Sequence, residues 1–216
     1  MKTLVVVSHP TLETSQTQAF LQASAAGLPN VTWHPVTSVV TEEAALLRAA
    51  DRIVLQFPLY WYQAPASLKQ WLDTVWTDEL TPALAGKSLG LVVSFGQPEA
   101  AYQAGGREGI SLSTLLSPYA ALARKVRLHL LPTLTVPQFA YQTEGWRQRL
   151  LVRYQQYLQL ADPQRFAAQA EWWQARLAAY PEAALLAETL AVRQEQWQSL
   201  QDELHEMKGG HRDGND

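Results

Sequence analysis

The apolar residues of this chain fall into two alternating patterns, short continuous runs and longer stretches with helical spacing. The continuous runs, rich in Val, Leu and Ile, lie at residues 3–7, 31–36, 52–57, 89–93 and 128–136. Such runs predict strands that are covered on both faces, as in a parallel sheet. Apolar residues that recur every three or four positions predict helices over residues 14–26, 42–50, 64–76, 112–125 and 144–160.

The alternation of strand and helix favours one architecture. Strands that are joined through helices make right-handed crossovers, so neighbouring strands are parallel and helices cover both faces of the sheet. Five strands of this kind predict an α/β fold with a doubly wound sheet in the order 2-1-3-4-5. Ligands of such sheets bind beyond the carboxyl ends of the strands, which here means the loops after Val7, Phe57 and Val93.

The composition changes after about Pro163, where Gln, Ala, Glu and Trp dominate without a strand pattern. A 4-3 spacing predicts one long helix with a coiled-coil-like seam. The seam positions are Leu186, Leu190, Arg193, Trp197, Leu200, Leu204 and Met207. We therefore predict a domain over residues 1–162, a helical extension over 163–208 and a disordered tail over 209–216.

Composition and charge narrow the functions that this fold can have. The chain has 216 residues, 47% of them hydrophobic, which is enough for one good core. Lys and Arg number 17 against 20 Asp and Glu, and these scattered charges argue against a nucleic acid or an anionic membrane as partner. With no cysteine, disulfides and thiolate sites are excluded, and redox chemistry requires a bound cofactor. Because the apolar runs are too short for a signal peptide or a membrane span, we expect a cytoplasmic protein.

The first loop, residues 8–18, leads from the first predicted strand directly into a helix and suits a phosphate. Backbone N–H groups at the helix start and the hydroxyls of Thr14, Ser15 and Thr17 can bind an anion, and His9 can add a donor. The alternative is that Thr14 or Ser15 only caps the helix and that His9 is a surface residue.

The second loop carries three consecutive aromatic residues, Tyr60, Trp61 and Tyr62, directly after a predicted strand. They offer a flat apolar wall to a planar ring, beside free backbone polar groups. The alternative is that Trp61 and Tyr62 simply cover the edge of the sheet. Loops rarely concentrate aromatic residues without a ligand or a partner, which favours the ring site.

A long motif surrounds this second loop. It consists of ADRIVLQFPLYWY at residues 50–62, followed by Pro65, Leu68, Lys69, Trp71, Asp73 and Val75. It closely resembles the core motif of flavodoxin-like NAD(P)H:quinone oxidoreductases. That family includes mammalian-type quinone reductases, the bacterial drug-activity modulator and the ancillary oxidoreductase subunits of glutathione-gated potassium efflux antiporters. The resemblance extends from residue 2 to about residue 160 and implies a flavodoxin-like fold.

The resemblance also implies a cofactor, FMN rather than FAD, because the loops lack the insertions that mammalian-type enzymes carry around the adenine half. The residues implied around the phosphate and ribityl chain are His9, Ser15, Gln16, Thr17 and Gln18. Those implied along the isoalloxazine are Pro58, Leu59, Tyr60, Trp61 and Tyr62. The third loop, in the place of the family's Thr-Thr-Gly-Gly segment, contains Ser94, Phe95, Gly96 and Gln97. Gln18 stands where the family usually has Asn.

Two catalytic candidates concern proton handling, and both are carried over from the resemblance. Tyr102 matches a tyrosine that lies over the flavin, and Glu108 stands where the quinone reductases often have histidine. A carboxylate does not stabilise the anion of a reduced ring as histidine does. The alternative for Glu108 is that it faces solvent, and Arg107 either meets a nicotinamide phosphate or is solvated.

The predicted function is a hydride relay in which NAD(P)H reduces FMN and a quinone or similar planar electrophile then takes the electrons. The resemblance implies a homodimer, and we expect no metal site. The alternative is a flavin-binding regulatory subunit of a partner such as a potassium efflux antiporter, which the Trp-rich extension favours. Its residues Trp172, Trp173 and Trp197 either anchor a partner or pack the extension onto its own domain.

Overall fold

The computed structural model describes residues 1–36 and 40–209. The chain divides into two compact units, Met1–Gln159 and Leu160–Asp216. The domain boundary between residues 162 and 163 stays a prediction. The predicted disordered tail lies outside the described residues, except for residue 209, at which the last helix ends.

Strands and helices alternate through the first unit as the apolar pattern predicts. The strands are β1 Thr3–Val7, β2 Val31–Pro35, β3 Arg52–Pro58, β4 Ser88–Phe95, β5 His129–Leu130 and β6 Leu134–Pro137. The helices are α1 Gln16–Ala25, α2 Val40–Ala49, α3 Ala66–Val75, α4 Thr81–Leu84, α5 Leu112–Leu115, α6 Ser117–Val126 and α7 Glu144–Gln159. Short 3₁₀ turns follow three of the strands, at Leu12–Thr14, Glu99–Tyr102 and Phe139–Tyr141.

The sheet is parallel in the order β2-β1-β3-β4, and both β5 and β6 pair with β4. This confirms the doubly wound α/β fold and corrects one detail of it. The predicted fifth strand, residues 128–136, is two short strands that pair with the beginning and the end of β4. Pro132 lies between them, and proline has no N–H with which to continue the ladder.

Both faces of the sheet are buried, because successive strand residues point to opposite sides. Val5 and Val54 pack in one apolar layer with residues of α1 and α7. Leu4 and Leu55 pack in the other layer with residues of α2, α3 and α6. The continuous apolar runs therefore correspond to strands that lie between two layers of helices. The helices cover the faces of the sheet, and loops surround its carboxyl edge.

The second unit contains two helices, α8 Phe166–Leu177 and α9 Ala184–Gly209, joined by a turn at Pro181–Ala183. The ring of Phe166 packs on that of Trp197 at 5.7 Å, and Gln174 donates a 3.2 Å hydrogen bond to Gln194. Beyond Trp197, residues of the predicted seam are exposed, including Leu200, Leu204 and Met207. The coiled-coil-like role of this seam stays a prediction. Nowhere in residues 1–36 or 40–209 is a helix both long and apolar enough to cross a membrane.

Candidate functional site

The carboxyl ends of the parallel strands meet at one edge of the sheet, and the segments that follow them surround two adjoining cavities. The volumes are about 380 Å³ and 530 Å³, within the range of about 300 to 1,000 Å³ that is usual for small-molecule sites. Leu59, Tyr60 and Gly96 line both cavities. The two cavities are therefore neighbouring parts of one candidate site.

The beginning of α1 forms one end of the first cavity. Ser15 caps the helix, since its Oγ accepts the backbone N–H of Gln18 at 3.3 Å. The first backbone bond of the helix runs from the N–H of Ala19 to the carbonyl of Ser15, so the N–H groups of Gln16 and Thr17 precede the intrahelical ladder. Ser15 and Thr17 also line the cavity, and this arrangement of donors suits an anion.

His9 lies beside the helix start and points a donor toward the aromatic turn. Its Nδ1 accepts the backbone N–H of Thr11 at 3.1 Å, so the neutral ring carries its hydrogen on Nε2. That Nε2 lies 3.4 Å from the hydroxyl of Tyr60. Burial lowers the pKa of His9 below the ordinary histidine value. An anion bound nearby would favour the charged ring and raise this pKa again.

The three aromatic residues after β3 stand on a tight turn. Tyr60 and Gln63 exchange two backbone hydrogen bonds, of 2.9 and 3.0 Å, and the residues between them have positive φ angles, 48° at Trp61 and 67° at Tyr62. Two left-handed residues in a two-residue hairpin define a type I′ turn, which normally contains Asn and Gly. Large side chains in this conformation cost about 1–3 kcal/mol each and occur mostly at functional sites. The turn leaves Trp61 92% exposed.

The second cavity contains a hydrogen-bonded group of polar side chains. The hydroxyl of Tyr62 donates to Oε2 of Glu108 at 2.8 Å, and Arg107 donates from Nη2 to Oε1 at 2.9 Å. The Tyr62 bond and then the Arg107 bonds lower the pKa of Glu108, and the same Tyr62 bond raises the pKa of Tyr62. The Glu108 side chain is only 12% exposed, so it lines the cavity and does not extend into solvent.

Tyr102 lies at the inner wall of the second cavity. Its ring packs edge-on against Phe95 at 5.2 Å, and only 8% of the residue is exposed. Burial, followed by the negative charge of Glu108, raises the pKa of Tyr102. The phenol therefore keeps its proton at neutral pH and can donate a hydrogen bond within the cavity.

Gly96 marks the point where the two cavities join. A Cβ atom added at this position would meet no atom within 4 Å, so a side chain here would project into open space beside the lining. Glycine lets a ligand come close to the backbone at this point. The preceding residue Phe95 and the following residue Gln97 line the first and the second cavity respectively.

The structure brings almost all of the predicted site residues together. All of them except Thr14, Gln16, Gln18 and Arg107 line at least one of the two cavities. The hydroxyl of Thr14 instead donates to the carbonyl of Thr11 at 3.2 Å. Gln16 is exposed at the first position of α1, whereas Gln18 is only 1% exposed and accepts a 2.5 Å hydrogen bond from Gln56. Successive helix residues point about 100° apart, so Gln16 faces outward and Gln18, two positions later, faces the core.

One wall of the first cavity was not predicted from the sequence. This wall follows the last strand and consists of Val136, Gln138, Phe139, Ala140 and Tyr141. The sequence did contain a signal for this wall, namely the end of the last predicted strand, because every strand of a parallel sheet ends at the edge where ligands bind. The prediction considered only the loops after the first, third and fourth strands.

Comparisons with known proteins agree with this architecture. The model of a family described as having the flavodoxin-like fold matches residues 1–158. The crystal structure of an NADPH-quinone reductase from P. pentosaceus is 49% identical, with a TM-score of 0.71, over 73% of this chain and 98% of that one. The structure of general stress protein 14 from Treponema denticola in complex with FMN is 30% identical, with a TM-score of 0.66, over 73% of this chain and 98% of that one.

A third relative is named as an ancillary protein. The chain is 36% identical over 147 residues to the glutathione-regulated potassium-efflux system ancillary protein KefG of Cronobacter sakazakii. The match covers 62% of this chain and 80% of that protein.

Proposed function

Because this chain belongs to the flavodoxin-like family, as the match over residues 1–158 shows, we propose that it is an FMN-dependent NAD(P)H oxidoreductase that reduces quinones or similar planar electrophiles. One observation carries the proposal. The donors at the beginning of α1 and the aromatic residue Tyr60 line the same 380 Å³ cavity. A ligand with a phosphate at one end and a planar ring at the other needs this combination.

The phosphate of FMN fits the helix start. In the proposed complex it is held by the N–H groups of Gln16 and Thr17 and by the hydroxyls of Ser15 and Thr17. The hydroxyl of Ser15 accepts the N–H of Gln18 and so keeps its own hydrogen free to donate. His9 contributes the hydrogen on Nε2.

The ring of FMN fits the other end of the first cavity, between the aromatic turn and the loop after β4. Leu59 and Tyr60 would form one wall, and the space beside Gly96 leaves room for close contact with the backbone. The missed wall adds Phe139 and Tyr141 to the same cavity. A relative of known structure is named as a complex with FMN, which supports FMN over FAD.

FMN, when bound, supplies the two-electron chemistry that the side chains of this chain lack. NAD(P)H releases a hydride, and reduction of a quinone to a hydroquinone consumes two electrons and two protons. In this proposal the second cavity binds donor and acceptor in turn, and its aromatic residues, Tyr60, Trp61, Tyr62 and Tyr102, hold them flat and exclude water.

The side chains of the second cavity divide the proton handling unequally. Tyr102 keeps its proton at neutral pH, because its pKa is raised, and it can donate to an oxygen of the acceptor. Glu108 is ionised, with a lowered pKa, and its two oxygens accept bonds from Tyr62 and Arg107. We therefore assign Tyr102 as the hydrogen-bond donor that supports the acceptor oxygen as it gains negative charge, while solvent supplies the proton that the hydride does not carry, and Glu108 as the residue that orients Tyr62.

An absorption spectrum tests the proposal. The protein, mixed with FMN and freed of excess ligand, is expected to be yellow, to bleach with NADPH or NADH and to recover its colour when a quinone is added. A matched sample with Tyr102→Phe is expected to retain FMN and to recover more slowly. A wild-type chain that does not retain FMN after reconstitution would rule out the oxidoreductase.

The second candidate function is that of a flavin-binding regulatory subunit, and two features of the chain and one relative favour it. Glu108 stands where quinone reductases often have histidine, and the end of α9 exposes Leu200, Leu204 and Met207. A relative is named as an ancillary protein of a potassium-efflux system. By this proposal the chain acts in the cytoplasm on a membrane protein, and turnover is secondary.

A pulldown with two forms of the chain separates these functions. Loss of a specific partner after truncation beyond Leu160, or in full-length Leu200→Glu/Leu204→Glu, with unchanged NAD(P)H oxidation, supports the regulatory subunit. Loss of dimerisation in the same variants instead supports self-association of a homodimeric enzyme. If neither partner binding nor dimerisation changes, the exposed residues of α9 have no part in either function.

A further inference from the structure

Three buried polar side chains form a hydrogen-bonded chain that reaches the first turn of α1. The hydroxyl of Tyr154 on α7 donates to Oε1 of Gln56 on β3 at 2.7 Å, and Nε2 of Gln56 donates to Oε1 of Gln18 on α1 at 2.5 Å. The exposed fractions are 0% for Tyr154 and Gln56 and 1% for Gln18. The chain therefore links two helices to the central strand through the core.

This polar chain stabilises the core less than apolar side chains of the same shape would. Buried polar groups gain little over apolar ones of the same shape even when every bond is made, and an unpaired one costs about 1–3 kcal/mol. Nε2 of Gln18 is such a group, since it is buried and has no hydrogen-bond partner among the described residues. Fold stability alone therefore gives no reason for three polar residues here.

The chain connects directly to both segments that form the anion-binding end of the cavity. Gln18 is the third residue of α1, and its backbone N–H is bonded to the cap, Ser15. The residue before it, Thr17, lines the cavity. On the other side, the backbone carbonyl of Gln56 accepts the N–H of Ser8 at 2.9 Å, and Ser8 precedes His9. Gln56 thus holds the first turn of α1 with its side chain and the beginning of the preceding loop with its backbone.

We propose that Gln56 and Tyr154 are positioning residues for phosphate recognition, acting through Gln18 on the first turn of α1. The inference rests on the proposed function, since the phosphate is that of FMN. Neither residue lines either of the two cavities of the candidate site. Their contribution is to fix the direction of the Gln16 and Thr17 N–H groups and of the two hydroxyls, because donors that are held in place lose less entropy on binding.

A comparison of FMN with riboflavin tests this inference, because the two ligands share the ring and differ in the phosphate. Tyr154→Phe removes the hydroxyl and keeps the volume of the ring. We expect the dissociation constant of FMN, measured by quenching of flavin fluorescence, to rise roughly tenfold, which corresponds to the loss of one buried hydrogen bond. The dissociation constant of riboflavin is expected to change less than about twofold by the same argument, because no bond to the ring is altered.

Tyr157→Phe is the matched control. Tyr157 also lies on α7, is 4% exposed and uses its hydroxyl to accept the N–H of Leu91 at 3.0 Å. The substitution likewise removes a buried tyrosine hydroxyl and its hydrogen bond, but this bond has no link to α1. Both variants should melt at a lower temperature, but only Tyr154→Phe should reduce the preference for FMN over riboflavin.

Gln56→Met supplies a second variant, since it keeps the length of the side chain and removes both bonds. It is expected to reduce the FMN preference at least as much as Tyr154→Phe. A wild-type preference that survives both substitutions, or an equal loss of affinity for both flavins, overturns the inference alone. A wild-type chain that binds neither flavin overturns the proposed function, and the inference with it.

Discussion

The hydroxyl of Tyr62 donates a 2.8 Å hydrogen bond to the carboxylate of Glu108, and this bond joins the aromatic turn after β3 to the loop after β4. Both side chains line the second cavity. The separation of the two residues is 46 positions, so only the folded chain brings them together. The bond lowers the pKa of Glu108 and raises the pKa of Tyr62, which keeps the carboxylate ionised and the phenol protonated around neutral pH.

Tyr62→Phe should therefore destabilise the protein in a pH-dependent way. The lowered pKa of Glu108 contributes stability that is present above the ordinary glutamate value of 4.5 and is lost as pH falls through the lower folded value. The raised pKa of Tyr62 contributes below the ordinary value of 10.0 and is lost at higher pH. The difference in melting temperature between wild type and variant should be larger at pH 7 than at pH 3. A difference that does not depend on pH would mean that the bond does not form in solution.

Trp61→Gly should stabilise the chain and impair its function. Trp61 has a φ of 48°, and glycine takes this conformation without strain, so the free energy of unfolding should rise by about 1 kcal/mol. Trp61 lines the second cavity, so loss of its ring should raise the KM for the quinone by roughly threefold to tenfold. Denaturant unfolding and quinone-dependent oxidation of NAD(P)H measure the two effects.

Arg127→Gly is the control for this prediction. Arg127 ends α6 in the same left-handed conformation, with a φ of 61°, and lies outside both cavities. Its replacement should give a similar gain in stability with an unchanged KM for the quinone. If Trp61→Gly left this KM equally unchanged, Trp61 would not belong to the wall that holds the acceptor.

Gly96→Leu should block the junction of the two cavities. A side chain here meets no protein atom within 4 Å of its Cβ position, so the folded chain should tolerate it and the ligand should not. We expect FMN affinity to fall by about tenfold or more, which is the effect of roughly 1.4 kcal/mol. Gly145→Leu, at an exposed position of α7, is the control and should bind FMN as wild type does.

Gly90→Ala should destabilise the core without touching the site. Its Cβ would lie 2.7 Å from the hydroxyl oxygen of Tyr157, which forces a shift that costs about 1–3 kcal/mol. Combining it with Tyr157→Phe removes the closest contact, so the double variant should lose less unfolding free energy than the sum of the single variants. Additive losses, measured by urea unfolding, would show that the side chain of Tyr157 already has room to move.

The sheet was predictable because the apolar pattern that indicates it is local. Val5 and Leu55 lie in continuous apolar runs, and such runs indicate strands with two buried faces whatever follows them. The break in the last strand was not predicted, although Pro132 marks it, because the apolar run continues on both sides. The motif around Tyr60 similarly identified the family from consecutive residues.

The candidate site was predictable only in part. Consecutive residues such as Tyr60 and Trp61 were assigned to the ring site from the loop that contains them. Gln18 was assigned to the phosphate site at the start of α1 because of the family resemblance. The structure instead turns the side chain of Gln18 inward to Gln56. The wall that contains Phe139 was missed, because its place depends on how the last strand pairs with β4.

The order of residues by itself determined the alternation of strands and helices, the parallel sheet and the family, because apolar spacing and a continuous motif can be read along the chain. Only the tertiary structure decided which polar side chains meet. The bond between Tyr62 and Glu108 and the bond between Tyr154 and Gln56 join residues 46 and 98 positions apart. Such contacts depend on the distances between strands and helices after packing, which no local pattern records.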